Sequence, residues 1–163
     1  MPNTEDIGRQ ASIEGFANEQ IVAGILMKKY WNVSRVTLPL SPYDIVIVRK
    51  KRGREDIIRA QVKTAKKTVS FTGGTRGGVD RTYKSGVKTY TQSPKTSDVI
   101  IGVKPLDNGA YDLYFVPTLL IKKLKTKSKG LGKLKHLKNN YDFLDKCKDR
   151  KYIMRKAKGL GVI

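Results

Sequence analysis

The chain has 163 residues, enough for one domain with a buried core and too few for two comfortable ones, and its 34 Lys+Arg against 14 Asp+Glu give a formal net charge of +20. An excess of that size points to a polyanionic partner, nucleic acid foremost, rather than to a surface charged only for solubility. One cysteine, Cys147, and one histidine, His136, exclude an internal disulfide, cysteine- or histidine-built zinc centres, and Ser-His-Asp or Cys-His catalysis, so any enzymatic chemistry falls to carboxylates and lysines.

The opening MPNTEDIGRQ lacks a basic-then-apolar leader pattern, and no run approaches the roughly 18 apolar residues that cross a bilayer, so the chain reads as soluble and intracellular, cytoplasmic or nucleoid-associated. Residues 12–29 predict a largely buried helix, with Ser12 as a possible N-cap and Ile13, Phe16, Ala17, Ile21, Val22, Ile25 and Leu26 at helical spacing. Residues 33–38 predict a short strand. Pro39 and Pro42 bracket a turn into 43–50, a run apolar on both faces as a central strand is. A basic turn around Gly53 leads into a returning strand at 56–65, making a hairpin. Residues 69–72 predict a further strand, followed by a glycine-rich loop at 73–78. Residues 98–103 and 111–116 form a second hairpin over Asp107-Asn108-Gly109, and Pro117 opens a short helix. From Lys125 the sequence predicts a loop and then a basic helix near 139–158. This order implies a mixed α/β fold, a central mixed sheet flanked by helices, in residues 1–124, with a Lys-rich extension over 125–163. Residues 121–163 hold 15 Lys+Arg and 3 acids, and residues 1–120 hold 19 and 11.

Three polar residues break the apolar strand pattern. Asp44 shares a strand face with Val46 and Val48, while Gln61 and Lys63, two apart, project from one face of their strand, with Ala60, Val62 and Thr64 on the other. If the strands pair, the three converge. On the helix, Glu19 falls on the stripe of Gly15, Val22 and Leu26, away from Asn18 and Lys28. Such a cluster suits phosphodiester hydrolysis, in which hard oxygen ligands hold Mg²⁺ or Mn²⁺: Asp44 as principal ligand, Glu19 directly or through water, Gln61 by its amide oxygen, Val62 by its carbonyl, with Lys63 orienting the nucleophile. A buried Asp-Lys pair beside a hydrogen-bonded Gln, without function, fits the spacing equally well.

The segments 14–30 (EGFANEQIVAGILMKKY), 42–48 (PYDIVIV), 58–65 (IRAQVKTA), 97–103 (SDVIIGV) and 114–121 (YFVPTLLI) together resemble the PD-(D/E)xK nucleases. Within them the chain is most similar to the small homing-type endonucleases associated with group I introns, with archaeal Holliday-junction resolvases as relatives. The resemblance implies a restriction-endonuclease-like core, a metal-dependent endonuclease acting on duplex or branched DNA, catalytic Glu19, Asp44, Gln61 and Lys63, and a homodimer or homotetramer. Gln61 departs from the acid that names the motif, although the homing-type branch also carries glutamine there, and Glu14 competes with Glu19 as the helix carboxylate. The other class of function open to this sequence is a non-catalytic basic nucleic-acid-binding protein on a nuclease-like core.

For DNA contacts the candidates are Lys50, Lys51, Arg52 and Arg54 in the first hairpin, Arg76, Arg81, Tyr83 and Lys84 in and after the glycine-rich loop, and Lys122 and Lys123 in the short helix. The glycine-rich loop lacks the GK[ST] ending of a P-loop, so nucleotide binding is not expected. The extension is expected to pack on the core or contact DNA, its lysines acting as point charges for phosphates.

Overall fold

A computed structural model describes residues 3–74 and 89–163. Helix α1 (Thr4–Tyr30) is followed by β1 (Val33–Arg35), β2 (Ile45–Lys51) and β3 (Arg54–Thr64); after the short strands β4 (Thr68–Ser70), β5 (Thr72–Gly73) and β6 (Tyr90–Thr91) come β7 (Val99–Pro105) and β8 (Tyr111–Pro117). A 3-10 turn leads into α2 (Ile121–Leu124), then β9 (Ser128–Gly130), a 3-10 helix over Leu131–Leu137, α3 (Tyr141–Asp145) and α4 (Arg150–Gly159). The five-stranded main sheet has the order β1-β2-β3-β7-β8 and is mixed: β3 and β7 run parallel, and every other neighbouring pair runs antiparallel. The expected α/β architecture with a central mixed sheet and flanking helices is therefore present.

Local chemistry explains the elements. The β2–β3 hairpin turns through Arg52 and Gly53, both at positive φ (53° and 75°), with Lys51 paired to Arg54, as a two-residue loop matched to strand twist requires. The β7–β8 hairpin closes where Leu106 N–H donates to the Ala110 carbonyl at 2.9 Å. Along β3 the buried residues Ile58, Ala60 and Val62 alternate with half-buried Arg59, Gln61 and Lys63, the period of two expected of a strand with unlike faces.

Helix α1 begins eight residues earlier than the sequence pattern predicts. Asn3 is its N-cap, accepting from Asp6 N–H at 2.9 Å, while Ser12 lies inside the helix and donates to the Gly8 carbonyl. The helix is also less buried than expected: Asn18, Val22, Ala23 and Leu26 are covered, whereas Ile13 and Phe16 stay more than half exposed. Asn18 faces inward because its amide donates to Thr64 Oγ1 at 2.8 Å, satisfying a polar group that burial would otherwise penalise. The strand predicted over 33–38 stops at Arg35, since beyond it only the Val36 N–H bond to the Asp44 carbonyl continues the pairing. The helix predicted near 139–158 is two helices, α3 and α4, the second capped by Asp149, which accepts from Tyr152 N–H.

Residues 131–162 contribute Leu134, Leu137, Phe143, Leu144, Ile153 and Val162 to the same core that holds Ile45, Ile58 and Ile101. Polar ties fasten this segment. Asn139 joins β8 through Leu113 N–H (2.8 Å) and Asp112 (2.9 Å); Tyr30 donates to Asp145 at 2.6 Å; Asp56 takes both Arg49 and Lys148.

Gly102 pairs in register with Lys63, and a Cβ there would lie 2.6 Å from Val69 Cγ2. Gly102→Ala is expected to destabilise the fold by about 1–3 kcal/mol through overpacking. Urea denaturation of Gly102→Ala, Val69→Ala and the double variant checks this: the two costs should be non-additive, with the double variant less destabilised than the sum.

Candidate active site

Asp44 sits one residue before β2, held in line by its own backbone: its N–H donates to the Ala60 carbonyl at 2.9 Å and its carbonyl accepts from Val36 N–H at 2.8 Å. This turns its side chain onto β3, where Oδ2 accepts from Val62 N–H at 2.8 Å and from Gln61 Nε2 at 2.7 Å. Burial pushes the Asp44 carboxyl up to about 6; the charge of Glu19 adds to the rise, while the Val62 N–H, Lys63 and Arg35 oppose it. Asp44, Gln61, Lys63 and Glu19 thus act on one another in a single small region.

Glu19 is held by Arg35 of β1 at 3.0 Å, both side chains largely covered. Glu14 points elsewhere and pairs with Lys66 at 3.6 Å. Of the two helix carboxylates, Glu19 is the one whose charge bears on Asp44. Gln61 and Lys63 line a cleft of about 200 Å³ whose other walls include Leu40, Gly73 and Tyr90.

Sequence reasoning missed Gln92. It is 1 % exposed, and its amide orientation follows from its partners. Nε2 donates to the Pro42 carbonyl at 3.2 Å, a group that can only accept, and Oε1 accepts from Ser97 Oγ at 2.9 Å and Thr96 Oγ1 at 2.5 Å. The same Nε2 donates to Gln61 Oε1 at 3.2 Å, which leaves the Gln61 nitrogen for Asp44. In this conformation Gln61 therefore turns its amide nitrogen to Asp44 and its oxygen to Gln92. In the sequence Gln92 stands among turn-forming residues, in TQSPKTSD, where a buried glutamine leaves no pattern.

The other predicted positions fall in three places. Lys50, Lys51, Arg52 and Arg54 are exposed at the far end of the β2–β3 hairpin; Arg54 is seven residues from Gln61 along one strand, roughly 20 Å away. Lys122 and Lys123 are exposed on α2. Arg76, Arg81, Tyr83 and Lys84 lie outside the described residues. Among the described residues no group of three His, Cys, Asp or Glu could hold a metal ion.

No protein-family model and no curated protein matches the sequence. A solved structure does: that of a bacterial homing endonuclease, I-Ssp6803I. The match has a TM-score of 0.53 at 15 % identity and covers 73 % of this chain and 76 % of the other. At that identity the similarity to I-Ssp6803I is one of fold.

The raised Asp44 carboxyl predicts a pH dependence of stability. Between about pH 4 and 6 the folded state keeps a proton that the unfolded chain has released, so stability falls as pH rises through this window and levels off above it, by up to about 3 kcal/mol. In EDTA, Asp44→Asn should remove the dependence and unfold at higher denaturant than wild type at pH 8, with the gap closing near pH 4. Denaturation curves across pH read this directly.

Proposed function

We propose that this chain is a divalent-metal-dependent endonuclease hydrolysing phosphodiester bonds in DNA, of PD-(D/E)xK type with Gln61 in the second acidic position. The observation that carries this reading is the convergence of Asp44, Gln61 and Lys63 from neighbouring strands with Glu19 from α1, inside a chain of net charge +20. The likeness of fold to a homing endonuclease supports it.

The donor set fits Mg²⁺ or Mn²⁺: the carboxylates of Asp44 and Glu19, Oε1 of Gln61 and the carbonyl of Val62 are hard oxygens. The charge of Glu19 opposes ionisation of Asp44 in a partly buried place, which a cation there would relieve. A metal held there supplies Lewis acidity toward water and phosphate. Asp44 is fixed by the Val62 N–H, so its remaining oxygen keeps a defined direction. Gln61 must turn its amide over to present oxygen, exchanging its bond with Gln92. Lys63 orients the attacking water and stabilises charge growing on the phosphate oxygens. Assembly as a homodimer or homotetramer suits a reaction that cuts two strands.

One feature favours a second reading, a basic DNA- or RNA-binding protein without cleavage: in this conformation the cluster satisfies itself, with Glu19 on Arg35 and the Gln61 nitrogen on Asp44. The deciding experiment incubates wild type, Glu19→Gln and Lys63→Ala with linear, supercoiled and four-way-junction DNA, in Mg²⁺ and in EDTA. Expected are metal-dependent cutting by wild type and a loss on the order of 10²-fold or more in both variants, with DNA binding retained. Cutting in EDTA, or undiminished cutting by Lys63→Ala, overturns the mechanism. Binding without any cutting by wild type selects the second reading. Preference for linear over four-way-junction DNA separates a homing-type from a junction-resolving role.

A further inference from the structure

Six carboxylates of the described residues are ion-paired away from one particular cleft. Glu19 takes Arg35, Asp56 takes Arg49 and Lys148, Asp145 takes Arg49, Asp98 takes Arg59, Glu14 takes Lys66 and Asp112 takes Lys138. Gln92, which holds the Gln61 amide, also lines a cleft of about 650 Å³. Lys122 and Lys123 of α2, Lys125 and Lys127 of the following loop, and Arg150 of α4 surround it. Among the described residues no carboxylate lines it, and none is ion-paired with these five cations. Five like charges gathered round one space with no ion-pair partner among the described residues repel one another, and an entering anion relieves that repulsion.

The lining also says which anion. Four of the five cations are lysines, suited to phosphates as point charges rather than to bidentate reading of bases. Leu119, Ile121 and Met154 give apolar surface, but no aromatic side chain of the described residues lines the cleft, so these residues offer no platform on which unpaired bases stack. Hydroxyls of Thr91 and Ser93 add donors for phosphate oxygens, while that of Thr126 donates to the Ser128 carbonyl. Two side chains, Gln92 and Gln61, bridge from this cleft to Asp44 through hydrogen bonds of 3.2 and 2.7 Å.

We propose that this cleft seats the sugar-phosphate backbone of duplex DNA flanking the phosphate presented to Asp44 and Lys63. The duplex then runs from the candidate active site past residues 91–93 to the start of α4. The proposal rests on DNA being the substrate, and it names the side of the site on which the substrate lies.

The test measures duplex binding by fluorescence anisotropy over a range of salt, in EDTA, for the full chain and two charge-matched variants. The cleft variant combines Lys122→Ala, Lys125→Ala, Lys127→Ala and Arg150→Ala; the control combines Lys133→Ala, Lys135→Ala, Lys156→Ala and Lys158→Ala, none of which lines the cleft. All eight side chains are exposed, and thermal melting confirms that both variants fold. In the cleft variant the slope of log affinity against log salt should fall by about 3 to 4, roughly 0.9 for each phosphate no longer neutralised, and affinity at about 0.15 M salt should drop at least tenfold. In the control the slope should fall by less than about 1. Equal losses in the two variants, an unchanged slope in the cleft variant, tighter binding of single strands than of duplex, or displacement of the duplex by polyglutamate at equal charge would each overturn the proposal. Wild type that binds in this manner but never cuts leaves the cleft assignment standing and removes the endonuclease reading; a cutting wild type whose cleft variant binds unchanged does the reverse.

Discussion

Strand β3 is clamped on both sides: β2 runs antiparallel to it from Ile45 to Lys51, and β7 runs parallel to it from Val99 to Val103. A strand with two partners cannot slip by one residue without turning its buried side chains to the opposite face. Ile58, Ala60 and Val62 are thereby committed to the core, which commits Gln61 and Lys63 to the alternate side. The register is pinned further where Asp98, just before β7, accepts from the Arg59 backbone at 2.8 Å and from its guanidinium at 2.9 Å. Position, in this site, is inherited from sheet pairing.

On that frame the electrostatics are divided. The ion-paired acids of the described residues neutralise arginines and lysines around the sheet and the C-terminal helices, and burial raises the Asp44 carboxyl to about 6. Among the cations without an ion pair to a described residue, Lys122, Lys123, Lys125, Lys127 and Arg150 gather round one cleft, while Lys50, Lys51, Arg52 and Arg54 stand exposed on the β2–β3 hairpin. Like charges gathered round one cleft add to one another's field there more than charges spread along a hairpin do.

Much of this is legible in the sequence, and what is not has physical reasons. Asp44, Gln61 and Lys63 stand out because a period of two makes polar intrusions visible, and their meeting follows from a hairpin whose turn residues are recognisable. The N-terminal turns of α1 escape notice because their residues are polar on all sides and show no apolar period; only Asn3, with Asp6 three residues on, marks the start. Asn18 reads as outward-facing because composition does not reveal a buried partner such as Thr64. Gln92 is invisible for the same reason, since its value lies in four hydrogen bonds spread from Pro42 to Ser97. The tail reads as loop and basic helix because its Lys spacing hides Leu131, Leu134 and Leu137, which repeat every third residue as a 3-10 helix does.

The ties that fasten the C-terminal helices also set how this chain reaches its native state. Tyr30 meets Asp145 across 115 residues, and Lys148 meets Asp56 across 92, so these pairs form only after very long loops have closed. Closure entropy of that kind delays the rewarding interactions until late, giving slow folding for a domain of this size. The reverse process is correspondingly collective: α1, the sheet and the last helices share one core, and none can leave it without loosening the others.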